Sequence, residues 1–414
     1  MSLRKKTVPP KDQQIANHTI FTGDNLDIMR GMNSASIDLI YLDPPFNSNR
    51  HYSAPIGSKA AGAEFKDAWT FEDTKDAWWG LIADHHPALF KVIDAAGDIG
   101  NTGDKAYLIY MAMRLIEIHR ILKPTGSLYL HCDPTMSHSL KMAMDAIFGH
   151  ANFINEVIWH YQTGGASRNH YSKKHDVILF YRASRTYTFN AKDVRVPRTD
   201  EVLRRLASGS DAATRATDAT KLAMDVWADI QALNAMATER VGYPTQKPLD
   251  LLRRIIAASS NEGDIVLDPF CGCATAPLAA EDLGRQWIGI DIAPLAAKLV
   301  VQRMRDELNL FGDIIHRQDI PIRTEDLKPP SENITHILFG LQEGKCNGCG
   351  ISFPFQNFTR DHIIPRSKGG PDTDKNLQLL CGRCNSIKGN RDMPYLKARL
   401  IEDRIIDRPR RDDG

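Results

Sequence analysis

Nine residues, Asp38-Leu39-Ile40-Tyr41-Leu42-Asp43-Pro44-Pro45-Phe46, constrain this chain more than any other stretch. Their apolar run shows no polar alternation, which describes a strand covered on both faces, as in a parallel sheet. Pro44 and Pro45 cannot continue a hydrogen-bonded ladder, so the strand is expected to end at Asp43. That leaves a stiff, acid-bearing turn at the carboxyl edge of a sheet, where open α/β folds bind ligands. The Asp43 carboxylate can accept a hydrogen bond from an exocyclic amine, the Pro44 carbonyl can accept a second, and the Phe46 ring can stack on a flat heterocycle. Two acceptors on one NH2 group localise its lone pair and make the nitrogen nucleophilic. Asp and Pro also form ordinary strand-ending turns, so the rest of the chain has to decide between the two readings.

From the amino end, Thr19-Ile20-Phe21-Thr22 is a β-rich run followed by Gly23-Asp24-Asn25 and a helix-like Leu26-Asp27-Ile28-Met29. This βα unit directly precedes the Asp43 strand. Residues 47–104, polar and carrying Trp69, Trp78 and Trp79, read as irregular loop plus helix. Residues 106–122 read as a helix, broken at Lys123-Pro124-Thr125-Gly126. Residues 127–133 read as a second buried strand ending in an acid, Asp133, before Pro134. A helix over 139–148 follows, then strands near 156–161 and 177–181. Alternating strands and helices predict a doubly wound α/β sheet. Over 183–223 the pattern loosens into a basic stretch with Arg185, Lys192, Arg195, Arg198, Arg204 and Arg205. It is either a solvated excursion or a DNA-contacting insert.

Order returns at Tyr243-Pro244-Thr245-Gln246-Lys247-Pro248, with a helix expected over 249–259. A strand over 264–268 then ends in Asp268. The small-residue loop Phe270-Cys271-Gly272-Cys273-Ala274-Thr275 leads into a helix over 276–283. Such a loop lets a ligand approach the backbone closely near a helix N-terminus. The next strand, 286–291, ends in Asp291, 23 positions after Asp268. An acid about twenty residues beyond a glycine loop is where a carboxylate meets ribose hydroxyls.

These residues resemble the beta-class DNA amino-methyltransferases, which methylate the exocyclic amine of a base using S-adenosylmethionine. Asp43-Pro44-Pro45-Phe46 is similar to their DPPY/DPPF catalytic motif, and residues 270–275 to their FxGxGT cofactor loop, with Ala274 in place of the second glycine. The catalytic motif precedes the cofactor loop, as in the permuted "beta" order, with a target-recognition region between. The resemblance covers about residues 17 to 310. It implies a Rossmann-like sheet, S-adenosylmethionine as cofactor and double-stranded DNA as partner, with the base flipped out of the stack. It implies that Asp43, Pro44, Pro45 and Phe46 hold the flipped base, and that Phe270, Gly272 and Thr275 line the methionine part of the cofactor with Lys247 nearby. Asp268 belongs to the same cofactor edge, Asp291 would take the ribose hydroxyls, and Asp24 the adenine amine. Asp133 is read as structural. Asp at the first motif position favours N6 of adenine over N4 of cytosine, and both stay open, as does an RNA substrate. Dimers are usual in the family, so a homodimer is an expectation of the resemblance.

Near the carboxyl end, Cys346-x-x-Cys349 and Cys381-x-x-Cys384 are separated by 31 residues. Two such pairs can close a tetrahedral thiolate site for structural Zn²⁺, and a module of this size is expected to need a staple. Between and after them lie Asp361-His362, Asn376 and Asn385. This part resembles an HNH (ββα-metal) endonuclease, with Asn385 where many members have His. The resemblance implies His362 as general base, Asp361 and Asn385 as ligands of Mg²⁺ or a similar ion, and Asn376 as the anchor of the loop orienting His362. A zinc-dependent DNA clamp without cleavage is the alternative. Over residues 345–399, ten Lys and Arg stand against four acids, a net of +6, which suits a phosphate backbone.

A net charge of only +1 over 414 residues places any nucleic-acid affinity in such local patches. No apolar run reaches about 18 residues, so no membrane span is expected. The basic start, Met1 to Lys11, lacks the apolar centre of a secretory signal, and a cytoplasmic protein of bacterial or phage type is expected. The domain reading is 1–310 methyltransferase with a target-recognition insert at about 183–240, 311–340 linker with Pro329-Pro330 at its stiffest point, 341–400 HNH domain, and 401–414 charged tail.

Overall fold

In the computed structural model, residues 15–47, 50–53, 58, 60, 64–162, 167–207, 219–234, 236–308, 314–325 and 331–407 are described. Their strands, in chain order, are β1 Thr19–Thr22, β2 Ile37–Leu42, β3 Arg50–Ser53, β4 Glu64–Asp67, β5 Leu122–Cys132, β6 Phe153–His160, β7 His175–Arg182, β8 Arg195–Pro197, β9 Thr220–Leu222, β10 Val226–Trp227, β11 Ile265–Asp268, β12 Gln286–Asp291, β13 Ile315–Arg317, β14 Phe358–His362 and β15 Leu377–Cys381. The helices are α1 Asn25–Gly31, α2 Asp76–His85, α3 Pro87–Ile99, α4 Thr102–Ile121, α5 Ser137–Phe148, α6 Asp200–Ala207, α7 Leu249–Ser259, α8 Thr275–Asp282, α9 Pro294–Leu308, α10 Ile334–Leu341, α11 Gly382–Lys388 and α12 Met393–Glu402.

The chain divides into two units, one of residues 1–68 and 114–326, the other of 69–113 and 327–414. The first is built on one sheet in the order β10-β6-β7-β5-β2-β11-β12-β1-β13. Its centre is parallel: β5, β2, β11, β12, β1 and β13 pair in one direction. Only β7 runs against its neighbours β5 and β6. This is a mostly parallel, doubly wound α/β sheet. Its middle strands are apolar on both faces because helices cover both, and Leu39, Ile40, Leu42, Val266 and Leu267 are at most 1% exposed. β2 ends at Leu42, immediately before Asp43 and the two prolines.

Residues 315–317, read in the sequence as linker, form β13 and extend the sheet beside β1. Pro329-Pro330 lies outside the described residues, as do Met1 to Lys11 and 408–414 of the tail. The basic stretch contains β8, α6 and β9, with 208–218 outside the described residues. Residues 123–126, read as a helix breaker, directly follow the end of α4 at Ile121 and also open β5, since the strand begins as soon as the helix ends.

The second unit holds an antiparallel β14–β15 pair, with Phe358 opposite Cys381 and His362 opposite Leu377, followed by α11. This ββα element packs its small core of Leu380, Leu396 and Leu400 around Cys346, Cys381 and Cys384. The unit recruits a distant segment. Part of the loop-plus-helix stretch 47–104 forms α2 and α3, and part of the sequence linker forms α10, which packs on α2. Glycines bring those two helices together: a Cβ on Gly80 would sit 2.5 Å from His336 Cα, and one on Gly340 1.7 Å from the Asp76 carbonyl oxygen. Phe339 then reaches Phe90, Phe355 and Phe358.

Candidate active site

Four acids line the carboxyl edge of the central parallel strands. Asp43 follows β2, Asp268 ends β11, Asp291 ends β12, and Asp24 lies two residues beyond β1, these strands being neighbours in the sheet. The turns are tied to one another. Asp24 Oδ1 caps α1 by accepting from the Leu26 amide at 2.9 Å and also accepts from Arg114 Nη2 at 2.8 Å. Asn25 Nδ2 donates to the Pro269 carbonyl at 2.7 Å, and Arg114 Nε donates to Asn25 Oδ1 at 2.7 Å. Asp291 accepts from the Gly272 amide at 2.9 Å and the Ala293 amide at 2.8 Å.

Lys247 Nζ donates to both Asp43 oxygens, at 2.7 and 2.8 Å. The two residues stand 204 positions apart, and the sequence placed Lys247 only near the cofactor. The same ammonium lies 5.0 Å from the Phe46 ring centroid, a cation–π contact. A carboxylate offers about four lone-pair sites, so Asp43 can hold this lysine and still accept from a base amine.

Phe46 stacks on His131 with centroids 5.8 Å apart and planes 22° apart. His131 is fully buried at the end of β5. Its Nε2 lies 3.0 Å from Asp176 Oδ2 and its Nδ1 2.9 Å from the Tyr41 hydroxyl. Burial works to raise the Asp176 pKa, but the hydrogen bond and charge of His131 outweigh it and hold this carboxyl below its ordinary value. An ionised Asp176 only accepts, so His131 Nε2 carries the proton. Nδ1 faces the Tyr41 hydroxyl, whose phenol is kept protonated by burial and by the Asp43 charge. Tyr161 also donates to Asp176, at 2.9 Å. The sequence did not single out this chain of groups. Its signal was a histidine inside an apolar strand, which must find a partner when buried.

Asp268 is 4% exposed and accepts from the Phe270 amide at 3.0 Å. Burial first, then the charges of Asp43 and Asp291, push its pKa well above the usual carboxylate range, against the Phe270 amide and Lys247. A raised folded-state pKa means that its stabilising contribution is complete below the unfolded value and is lost as pH rises through the folded one. Asp268→Asn keeps the acceptor for Phe270 and removes the charge. The variant is expected to melt above the wild type at pH 8, by on the order of 1 kcal/mol for each tenfold weakening of the acid on folding, and level with it near pH 4. Melting curves across pH check this; a variant less stable at pH 8 contradicts it.

The cofactor loop has the shape of a cradle. Gly272 has φ +47°, and a Cβ there would lie 2.9 Å from the Tyr243 ring. Ala274 caps α8 in the left-handed region, φ 64° and ψ 38°. An edge of carboxylates beside such a loop fits a ligand that carries a positive sulfonium together with hydroxyl and amine donors, the chemistry of S-adenosylmethionine.

In the second unit, the sulfur atoms of Cys346, Cys349, Cys381 and Cys384 lie within 4.8 Å of one another. The amides of Gly348 and Cys381 donate to Cys346 Sγ at 3.3 and 3.2 Å. Burial opposes ionisation of Cys346, yet these amides bring its pKa below the ordinary thiol value. Four soft sulfur donors this close together fit Zn²⁺. Asp84, His85 and His336 form a second grouping. There His336 Nδ1 accepts from the Asn333 amide at 3.2 Å, closing the N-terminus of α10, and Nε2 meets Asp84 at 3.1 Å, which ties α10 to α2.

His362 Nε2 lies 2.9 Å from Asp372 Oδ1 and 3.2 Å from Arg366 Nε. Asn376 fastens the intervening loop: its Nδ2 donates to the carbonyls of Ile364 (3.0 Å) and Pro371 (2.8 Å), and its Oδ1 accepts from the Ile364 amide at 3.0 Å. Asp361 Oδ2 accepts from the fully buried Lys388 at 2.9 Å and from Gln378 at 2.8 Å. Lys388 also donates to the His362 carbonyl at 2.7 Å. Asn385 is half-buried on α11. Neither Lys388 nor Gln378 was singled out from the sequence. A carboxylate and an amide oxygen suit a hard divalent ion; here the Asp361 carboxylate is engaged by the Lys388 ammonium.

Residues 37–302 match the DNA methylase family with N6 and N4 members, about two thirds of the chain. The chain belongs to the DNA methylase family. Residues 346–391 of the methylase match the HNH endonuclease family, so it carries a C-terminal HNH domain. The DNA adenine methyltransferase YhdJ of Escherichia coli (strain K12) is 28% identical to the methylase over 288 residues, 69% of this chain and 82% of that one. The type II methyltransferase M.HpaI of Haemophilus parainfluenzae is 28% identical over 290 residues, 70% and 74% of the two chains. Among solved structures, the PvuII DNA methyltransferase (cytosine-N4-specific) matches the methylase at 15% identity with a TM-score of 0.46, over 70% of this chain and 89% of that one.

Proposed function

We propose that this DNA methyltransferase transfers a methyl group from S-adenosylmethionine to N6 of a flipped adenine in double-stranded DNA, and that its HNH domain nicks or cleaves DNA, as in a restriction-modification enzyme. The observation that carries the first half is the Asp43 corner, clamped by Lys247 on one side and presenting a Phe46 ring braced on His131 on the other. The target amine is enclosed in the base stack, so the base has to leave the duplex. Asp43 accepts one amine N–H and the Pro44 carbonyl the other. Pro45 stiffens the corner, and Phe46 stacks on the ring. S-adenosylmethionine supplies an electrophilic methyl on a sulfonium. Phe270, Gly272 and Thr275 line its amino-acid portion, Asp268 shapes the turn before them, Asp291 accepts from ribose hydroxyls and Asp24 from the adenine amine. The methylated nitrogen sheds one proton, for which Asp43 is the acceptor in reach.

Adenine is favoured by the Asp at the start of the motif and by the relative named as an adenine methyltransferase. In the HNH domain, His362 activates water, and Asp361 and Asn385 hold a divalent cation that offsets charge on the scissile phosphate. Cys346, Cys349, Cys381 and Cys384 hold Zn²⁺ as a staple. The place of action is the cytoplasm of a bacterium or phage-infected cell, where such DNA lies. Among the described residues no helix is long and apolar enough to cross a membrane. Mass analysis of nucleosides from duplex DNA incubated with protein and labelled cofactor tests the reading. N6-methyladenine is expected; N4-methylcytosine alone, or label transferred to RNA and not to DNA, contradicts it.

A further inference from the structure

The loop that receives the cofactor is held in a conformation its sequence does not favour. Ala274 sits in the left-handed region, which disfavours a residue with a Cβ by roughly a factor of ten in population relative to glycine. It is also fully buried. Something must hold this residue where glycine would rest freely. Arg303, on α9 and 29 positions away, is 1% exposed. Its Nη1 donates to the Cys273 carbonyl at 2.9 Å and to Thr275 Oγ1 at 3.2 Å. Those atoms belong to the residues immediately before and after Ala274. Rotating Ala274 into the ordinary helical region would swing the Cys273 peptide and break the first of these bonds. Burying a guanidinium is costly unless its donors are satisfied, so its position beneath one loop calls for an explanation.

We infer that Arg303 is a positioning residue for the cofactor loop: it clamps the residues flanking Ala274 and fixes the loop in the shape that receives S-adenosylmethionine. The inference rests on the cofactor reading above. It explains how a chain with alanine at the second glycine position keeps a competent loop. The two features are then coupled, the clamp being needed because the alanine is there.

The coupling is measurable with full-length protein. Titration calorimetry with S-adenosylmethionine in the absence of DNA is performed on wild type, Arg303→Met, Ala274→Gly and the double variant. Arg303→Met is expected to weaken binding about tenfold or more, the scale of a lost charged hydrogen bond. Ala274→Gly alone is expected to change it less than about twofold, and the double variant to recover to within about threefold of wild type. Arg303→Lys, whose ammonium can reach one of the two acceptors, is expected to fall between wild type and Arg303→Met. It should raise the cofactor KM while leaving kcat and the DNA KM near wild type. If Arg303→Met does not fold, judged by its thermal melt, Arg303→Lys with and without Ala274→Gly carries the same comparison. Binding by the Arg303 variants within twofold of wild type, or a loss that Ala274→Gly leaves intact, overturns the clamp. Failure of the wild type to bind S-adenosylmethionine overturns the cofactor reading instead, and the clamp with it.

Discussion

Asp43→Ala is expected to abolish detectable methyl transfer while the protein still binds S-adenosylmethionine. The carboxylate is one of two acceptors proposed to localise the amine lone pair, and removing one preorganised polar contact of this kind costs on the order of 10²–10³ in rate. A second loss adds to it. Lys247 donates to both Asp43 oxygens, so truncation leaves a buried ammonium without its carboxylate, close to where the base would stack. A buried ion stripped of its partner destabilises by about 3–5 kcal/mol, and the melt is expected to fall. Asp43→Asn separates the two effects, since it keeps the shape and one acceptor oxygen. It is expected to stay folded and to lose most of the rate. Methyl transfer by Asp43→Ala at more than a tenth of the wild-type rate would remove the basis for the proposed mechanism.

His362→Ala is expected to eliminate DNA nicking while leaving methylation unchanged. A positioned general base contributes about 10²–10⁴ in rate, enough to take a slow nuclease below detection. The imidazole is partly exposed and packs no core, so its removal should leave the melt near that of the wild type. Its surroundings are fixed independently of it: Asn376 holds the loop through Ile364 and Pro371, and Lys388 holds the His362 carbonyl. Supercoiled-plasmid relaxation assays with Mg²⁺ or Mn²⁺ provide the measurement. Wild-type protein that never nicks, or a variant that nicks equally well, returns the domain to the role of a DNA-binding clamp.

What could be read in the sequence was what adjacent residues dictate. Pro44 and Pro45 end β2 by removing two backbone donors, so the edge position of Asp43 follows from a few letters. The bounds of β1, α7 and β12 likewise follow from local apolar runs with turn residues at their ends. The two CxxC pairs were legible as a cluster because their spacing leaves few alternatives. Contacts made across the fold were not legible. Nothing near Lys247 in the sequence points to Asp43, and Lys388 gives no local sign that it reaches Asp361. Helix α10 was missed inside the stretch read as linker, although Ile334, Ile337, Leu338 and Leu341 stand at helical spacing; its close approach to α2 through Gly80 and Gly340 leaves no local sign. His131 was visible but unread, as a polar residue in an apolar strand with its partner Asp176 on another strand.

The unit bearing the HNH domain draws on residues 69–113 as well as 327–414, and this affects how such a protein can lose its nuclease. A premature stop codon ahead of α10 would delete Phe339 along with the HNH region but retain Phe90 and Trp79, which stack on each other at 4.3 Å. The shortened product would then display bare aromatic surface and aggregate. A lineage that abandons DNA cutting but keeps its modification function is therefore steered toward missense change at the nuclease centre, with the rest of the reading frame left whole.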